Sequence, residues 1–138
     1  MKKLLSIVTP CFNEEENVRE VCERVRQVFE TQLTEYDYEH IFIDNASKDK
    51  TAAILKELAH ADKRLKVIVN SRNFGHVRSP YHALLQTKGD AVIGIVADLQ
   101  DPPEMIVDFV RKWEEGYKVV IGIKARSEET PLFFAIRK

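Results

Sequence analysis

Apolar residues along the chain recur with two alternating periods. Residues 4–9 form a short apolar run closed by Pro10, the pattern of a buried strand. Residues 14–31 then carry Val18, Val21, Cys22, Val25, Val28 and Phe29 at helical spacing, and Asn13 ahead of them with Glu16 three residues on predicts a capping box. A second strand is expected over residues 38–44, and a second helix over 50–61 with Ala53, Ile54, Leu55, Leu58 and Ala59 on its inner face. The third strand covers residues 65–69, the third helix 76–87 with Pro80 near its start, and the fourth strand 91–97. Asp101-Pro102-Pro103-Glu104 opens a helix that runs to about residue 115, with Asp101 as cap, Pro102 as first helical residue and Glu104 as return partner. Gly116 ends that helix, and residues 118–123 predict a fifth strand.

Strands that alternate with helices and are apolar on both faces predict an α/β fold: a Rossmann-like, mainly parallel sheet with helices on both faces. A length of 138 residues is one domain, large enough to bury about two thirds of its unfolded surface. Residues 1–123 are expected to form that domain, and 124–138 to begin a different segment, polar first and then apolar over 131–136. Hydrophobic residues are 44% and charged residues 31%, and the formal net charge of -1 gives no global attraction to nucleic acid. The N-terminal apolar run is broken by Pro10 and the acids after Asn13, so it is a strand rather than a signal peptide. No run of 18 apolar residues occurs, which predicts a soluble segment. Cys11 and Cys22 make neither a disulfide framework nor a zinc site and are expected as buried thiols. His40 and His60 are expected to be incidental, and His76 and His82 to lie on a helix face.

In open α/β sheets ligands bind beyond the carboxyl ends of the strands. Those ends read Pro10-Cys11-Phe12-Asn13-Glu14, Asp44-Asn45-Ala46-Ser47-Lys48-Asp49, Asn70-Ser71-Arg72-Asn73-Phe74-Gly75 and Asp98-Leu99-Gln100-Asp101. Such an edge suits a base, a ribose and a cation beside a diphosphate. Neither G-x-G-x-x-G nor G-x-x-x-x-G-K-[ST] occurs, so a glycine loop is not expected to cradle the phosphates. The remaining device is a divalent metal, which takes part of its shell from substrate phosphates. Asp98 and Gln100, two residues apart at a strand end, are the candidate ligands.

These four strings, with Ala97 before Asp98 and Pro102-Pro103-Glu104 after Asp101, resemble the family 2 glycosyltransferases. Within that family they resemble the dolichol-phosphate mannose synthase-like branch and its bacterial polyprenyl-phosphate relatives. The resemblance implies a GT-A type fold and an inverting enzyme that moves a sugar from a UDP- or GDP-linked donor to an undecaprenyl or dolichyl phosphate. It implies that Pro10, Phe12 and Glu14 line the nucleotide, that Asp44 reads base or ribose, that Ala97 borders the same site, and that Asp98 and Gln100 hold Mg2+ or Mn2+. The full-length protein is then expected at the cytoplasmic side of a membrane, with 1–123 as the nucleotide-sugar-binding domain, 124–138 as the start of the acceptor-side, membrane-proximal segment, and a second copy of the chain as a further partner. Arg72 and Arg126 are candidate phosphate partners, since a guanidinium meets phosphate oxygens at two points. A lipid phosphate, with a second pKa of about 6, is already ionised and needs no general base. Val96 stands where the family often has a second acid, and Asn45-Ala46 where it often has Asp-Gly. The same family also serves saccharide acceptors in cell-envelope polysaccharide synthesis. Of other classes, a receiver-like signalling domain requires an Asp at the end of strand three, where Asn70 stands; an NAD-dependent oxidoreductase requires the missing glycine fingerprint.

Overall fold

The computed structural model describes residues 1–124. The elements are β1 (Lys3–Cys11), α1 (Val18–Thr31), β2 (Tyr36–Asp44), α2 (Thr51–Ala61), β3 (Leu65–Val69), α3 (Gly75–Leu85), β4 (Ala91–Gly94) and α4 (Met105–Glu114). The four strands form one parallel sheet in the order β3-β2-β1-β4.

Strand alternation sorts the side chains onto two faces. On one face Leu5, Ile7 and Cys11 of β1, Tyr38 and Phe42 of β2 and Leu65 of β3 meet the inner sides of α1, α2 and α4, through Val18, Val21, Val25, Leu55, Ile106 and Val110. On the other face Val8, Ile41, Ile43 and Ile68 pack against Ala83 of α3. The first cluster is the larger, and each fully buried aliphatic side chain in it contributes about 1.5–3 kcal/mol. Cys11 is buried and Cys22 half-buried; burial raises both thiols, Cys22 to about 11, so neither is a ready thiolate.

Polar groups inside the sheet are paired in two places. Glu39, 4% exposed, accepts from Ser6 Oγ at 2.6 Å and from the Lys88 amide at 2.7 Å, and pairs with the Lys66 ammonium. Gly89 donates to Ser6 Oγ at 2.8 Å, and a Cβ on it would lie 2.6 Å from that oxygen, so the α3–β4 turn closes over β1 only with glycine. His40, expected to be incidental, is fully buried: its Nε2 lies 2.8 Å from Thr9 Oγ1, and desolvation lowers its pKa to about 3, so it packs as a neutral ring.

Four local expectations are corrected. Asn13 does not cap a helix with Glu16: it has φ 53°, its side chain accepts from the Lys48 amide at 2.9 Å, and α1 starts only at Val18. Tertiary bonds to the neighbouring loop therefore displace the local cap. Asp101 and Glu104 do not form a capping box either. A residue before proline is pushed out of the helical region, so Pro102, followed by Pro103, cannot begin the helix. The chain turns through Met105 N to Pro102 O (3.0 Å), and α4 begins at Met105. Glu104 instead grips Arg24 at 2.9 and 2.6 Å, and Asp101 pairs with Lys124 at 3.6 Å. Finally, residues 118–123 form no fifth strand, and β4 ends at Gly94 rather than residue 97. The segment runs along the far side of a groove of about 780 Å³ that opens beside β4. It therefore makes no ladder, and Val119, Ile121 and Ile123 are exposed. The division at residue 124 and the apolar stretch 131–136 lie outside the described residues apart from Lys124.

Desolvation raises the Glu39 carboxyl, but its bonds to Lys66, Ser6 and Lys88 outweigh that cost and hold it below its ordinary value. A depressed folded pKa gives stability that is present above the unfolded value and is lost as pH falls through the folded one. Denaturant titrations are therefore expected to show stability declining below about pH 4.3. Glu39→Gln should be less stable by about 2 kcal/mol at pH 7 and should lose less on acidification than the parent.

Candidate active site at the carboxyl edge of the sheet

Because all strands are parallel, the loops after β1, β2, β3 and β4 emerge on one edge. Cys11 lies opposite Asp44, and Asp44 opposite Val69. The order β3-β2-β1-β4 places a topological switch between β1 and β4, where a crevice for a ligand forms. Receiver-type sheets follow the order 2-1-3-4-5, so the strand order excludes that rival. The crevice is flanked by residues 10–14 on one side and 95–100 on the other.

The loops after β1 and β2 are zipped together. Asp44, 1% exposed, accepts from the Ser47 amide at 3.1 Å and from the Ser47 hydroxyl, and Ser47 Oγ in turn accepts from the Asn13 amide at 2.8 Å. Asp49 Oδ2 accepts from Glu15 N at 3.2 Å, Glu15 Oε2 from Lys50 N at 3.0 Å, and Thr51 Oγ1 from Glu14 N at 2.9 Å. Desolvation opposes the charge on Asp49, yet bonds from the Thr51 hydroxyl and the Thr51 and Glu15 amides keep its pKa below the ordinary value. The Glu14 carboxylate accepts from Asn17 Nδ2 at 2.9 Å. Phe12 is 44% exposed at the rim, and Pro10 is half-buried.

After β4 the chain continues on β1 through Ile95 N to Val8 O (3.0 Å), buries Ala97, and exposes Asp98 and Gln100. Asp98 Oδ1 accepts from the Gln100 amide at 3.0 Å, closing a tight turn over Leu99. Val96 is also exposed. No group of three His, Cys, Asp or Glu among the described residues holds a metal by itself. One carboxylate and one amide oxygen suit a hard cation that keeps waters and borrows phosphate oxygens. On the third loop the Arg72 guanidinium lies 4.7 Å over the Phe74 ring and makes no ion pair among the described residues.

Eight of the nine expected site residues, Pro10, Phe12, Glu14, Asp44, Arg72, Ala97, Asp98 and Gln100, thus stand on one edge; Arg126 lies outside the described residues. Three features of this edge were not foreseen. Asn13, Ala46 and Leu99 have φ of 53°, 62° and 61°, one left-handed residue at each of three loops. Such residues cluster where a surrounding structure over-determines the backbone for function. Asn tolerates this conformation, so Asn13 carried a signal, and Ala46 stands where the resembling family often has glycine, whereas Leu99 carries none. Thr51 and Asp49 bind the first two loops, and Asn45 holds the third.

Comparison with known proteins agrees with this arrangement. The sequence model of Glycosyl transferase family 2 matches residues 6–137. The uncharacterized glycosyltransferase YkcC of Bacillus subtilis (strain 168) is 39% identical over 128 residues, covering 93% of this chain and 39% of the relative. The bactoprenol glucosyl transferase of Shigella phage SfX is 41% identical over 118 residues, 86% of this chain and 38% of the relative. The chain therefore spans about 39% of the length of the relatives it matches. Among solved structures, S. aureus TarS 1-349 in complex with UDP superposes with a TM-score of 0.66 at 23% identity over 96% of this chain and 39% of its own. The mannosyltransferase PcManGT from Pyrobaculum calidifontis, in complex with GDP-Man and Mn2+, gives 0.61 at 19% identity over 82% and 32%. These likenesses show the GT-A type fold.

Ala46 occupies a backbone conformation that glycine adopts without strain, at a cost of about 1–2 kcal/mol for an L-residue. Glycine returns about 0.4–1 kcal/mol of that through its looser unfolded chain. Ala46→Gly is accordingly expected to raise the melting temperature by roughly 2–4 °C, measured by calorimetry. A lowered melting temperature would contradict the left-handed turn at the end of β2.

Proposed function

Because the chain belongs to glycosyl transferase family 2, we propose that it forms the donor-binding part of an inverting transferase that passes a sugar from a UDP- or GDP-linked donor to a polyprenyl phosphate. The observation that carries this reading is the convergence of Pro10 to Glu14, Asp44, Arg72 and Asp98 with Gln100 on the carboxyl edge, at the switch between β1 and β4. The similarity to a bactoprenol glucosyl transferase supports the lipid acceptor. No described helix is long and apolar enough to cross a membrane. The cytoplasmic membrane face is proposed for the protein as a whole, with homo-oligomers as a further proposal.

In this reading Phe12 and Pro10 border the base, and Asp44, its carboxylate steadied by Ser47, reads base or ribose. Asp98 and Gln100 would hold Mg2+ or Mn2+, which would supply several kcal/mol of charge stabilisation to the diphosphate. Arg72 contributes a second positive charge, and Arg126 a third. The acceptor phosphate is ionised near pH 7 and needs no base from the protein; the site's work is alignment behind the anomeric carbon, where effective molarity is high. Attack opposite the leaving group inverts that centre.

A nucleotide thermal-shift series tests the reading. UDP or GDP with Mn2+ is expected to raise the melting temperature by a few degrees at a hundredfold excess over Kd, with little effect from the nucleotide without metal and none from NAD. Asp98→Ala is expected to abolish the metal-dependent shift while the apo protein melts within a few degrees of the parent; Gln100→Ala weakens it less. Metal-dependent UDP or GDP affinity that is unchanged from the parent in Asp98→Ala would overturn the metal assignment. A second measurement concerns transfer itself. Since the chain spans about 39% of its relatives, residues 1–138 are expected to bind nucleotide yet yield no lipid-linked sugar from radiolabelled donor and short-chain polyprenyl phosphate.

A further inference from the structure

Asn45 follows β2, and its backbone amide extends the sheet by donating to Cys11 O at 2.9 Å. Its side chain, in a residue 8% exposed, points away from Asp44 and engages the loop after β3. Oδ1 accepts from Asn70 Nδ2 at 3.1 Å and from the Phe74 amide at 2.9 Å. Nδ2 donates to Asn73 Oδ1 at 3.0 Å and to Gly75 O at 3.2 Å. A primary amide offers two donors and two lone pairs, and here all four are used within one loop. Asn73 Oδ1 also takes the Gly75 amide at 2.8 Å, and Asn70 Nδ2 reaches Ser79 Oγ at 2.9 Å. Between these anchored positions lies Arg72, whose only described partner is the Phe74 ring. Gly75, at φ 85°, begins α3.

We infer that Asn45 is a positioning residue: it clamps the 70–75 loop to the sheet and so sets where Arg72 meets the donor's diphosphate. The inference rests on the donor-site reading above. It also accounts for an amide at a position where the resembling family often has an acid. A carboxylate can accept from Asn70 and Phe74 but has no hydrogen to donate to Asn73 Oδ1 or Gly75 O. Two acceptors would then face a negative charge beside Asp44, with no donor between them. Two of the four bonds reach the loop's main chain, at the Phe74 amide and the Gly75 carbonyl, so the clamp holds backbone as well as side chains. Arg72 then needs less ordering when the donor arrives, which is where a preorganised site gains affinity.

The test combines amide exchange with a double-mutant cycle on the full 138-residue chain. In Asn45→Ala the Phe74 amide, deprived of its acceptor, is expected to exchange at least about tenfold faster, with β1 and β2 amides unchanged. Affinity for UDP or GDP with Mn2+, read by calorimetric titration, is expected to fall about tenfold. In an Arg72→Ala background the same substitution should cost less than about twofold, because a residue that acts through Arg72 has nothing left to position. Asn73→Ala removes one acceptor from the loop side and leaves the sheet untouched. It is expected to weaken binding in the same direction and serves if Asn45→Ala does not fold. Unchanged Phe74 exchange, or a tenfold loss that persists without Arg72, overturns the assignment. If the parent binds neither UDP nor GDP, the donor-site reading fails instead, and the exchange arm still decides whether Asn45 holds the loop.

Discussion

The parallel ladder between β1 and β2 is the constraint on which the rest of this protein depends. Nine residue pairs run from Lys3 opposite Tyr36 to Cys11 opposite Asp44. A parallel pair cannot be closed by a tight turn, so each crossover must carry a helix, and each helix returns the chain to the same starting edge. Every strand therefore delivers its last residue to the opposite edge, and the polar loops accumulate there. A slip of one residue in this register would turn Asp44 toward α3 and Asn45 toward α1, exchanging their environments. The buried alternation of Leu5 and Ile7 against Phe42 and Tyr38 resists that slip.

At the carboxyl edge, backbone strain and hydrogen bonding are opposed. Three non-glycine residues sit at positive φ, each at a cost of order 1 kcal/mol or more. The bonds among Asn13, Ser47, Asp44, Lys48, Asp49 and Thr51 over-determine the turns at Asn13 and Ala46 and offset their cost, and the Gln100 amide on Asp98 Oδ1 closes the turn at Leu99. What results is a row of fixed loops that carries the exposed Asp98 carboxylate and the Arg72 guanidinium, which makes no ion pair among the described residues. By contrast, the other end of the sheet places its buried carboxylate, Glu39, in a closed set of bonds with Ser6, Lys66 and Lys88. One acid is consumed by stability, whereas Asp98 is exposed and, among the described residues, is engaged by its own turn alone. The difference in pairing distinguishes the two ends more clearly than residue type does.

The sequence by itself determined the alternation of strands and helices, the four-loop edge and the residues on it. Those properties follow from periodicity and from the rule that parallel strands end together, both of which act over short stretches of chain. Its errors were local in appearance and tertiary in cause. Asn13 and Glu16 form a good capping pattern, but Lys48 and Ser47 of the next loop compete for Asn13 and win. The Asp101 to Glu104 pattern fails because Pro103 restricts Pro102 and because Arg24, from α1, takes Glu104. Residues 118–123 alternate like a strand, yet a strand exists only where a neighbour lies within hydrogen-bonding distance, and a groove separates them from β4. Only the tertiary structure decided that the amide of Asn45 belongs to the 70–75 loop and that His40 is a buried neutral ring. A side chain's partner is set by which segments the fold brings alongside it, and no pattern within one segment carries that information.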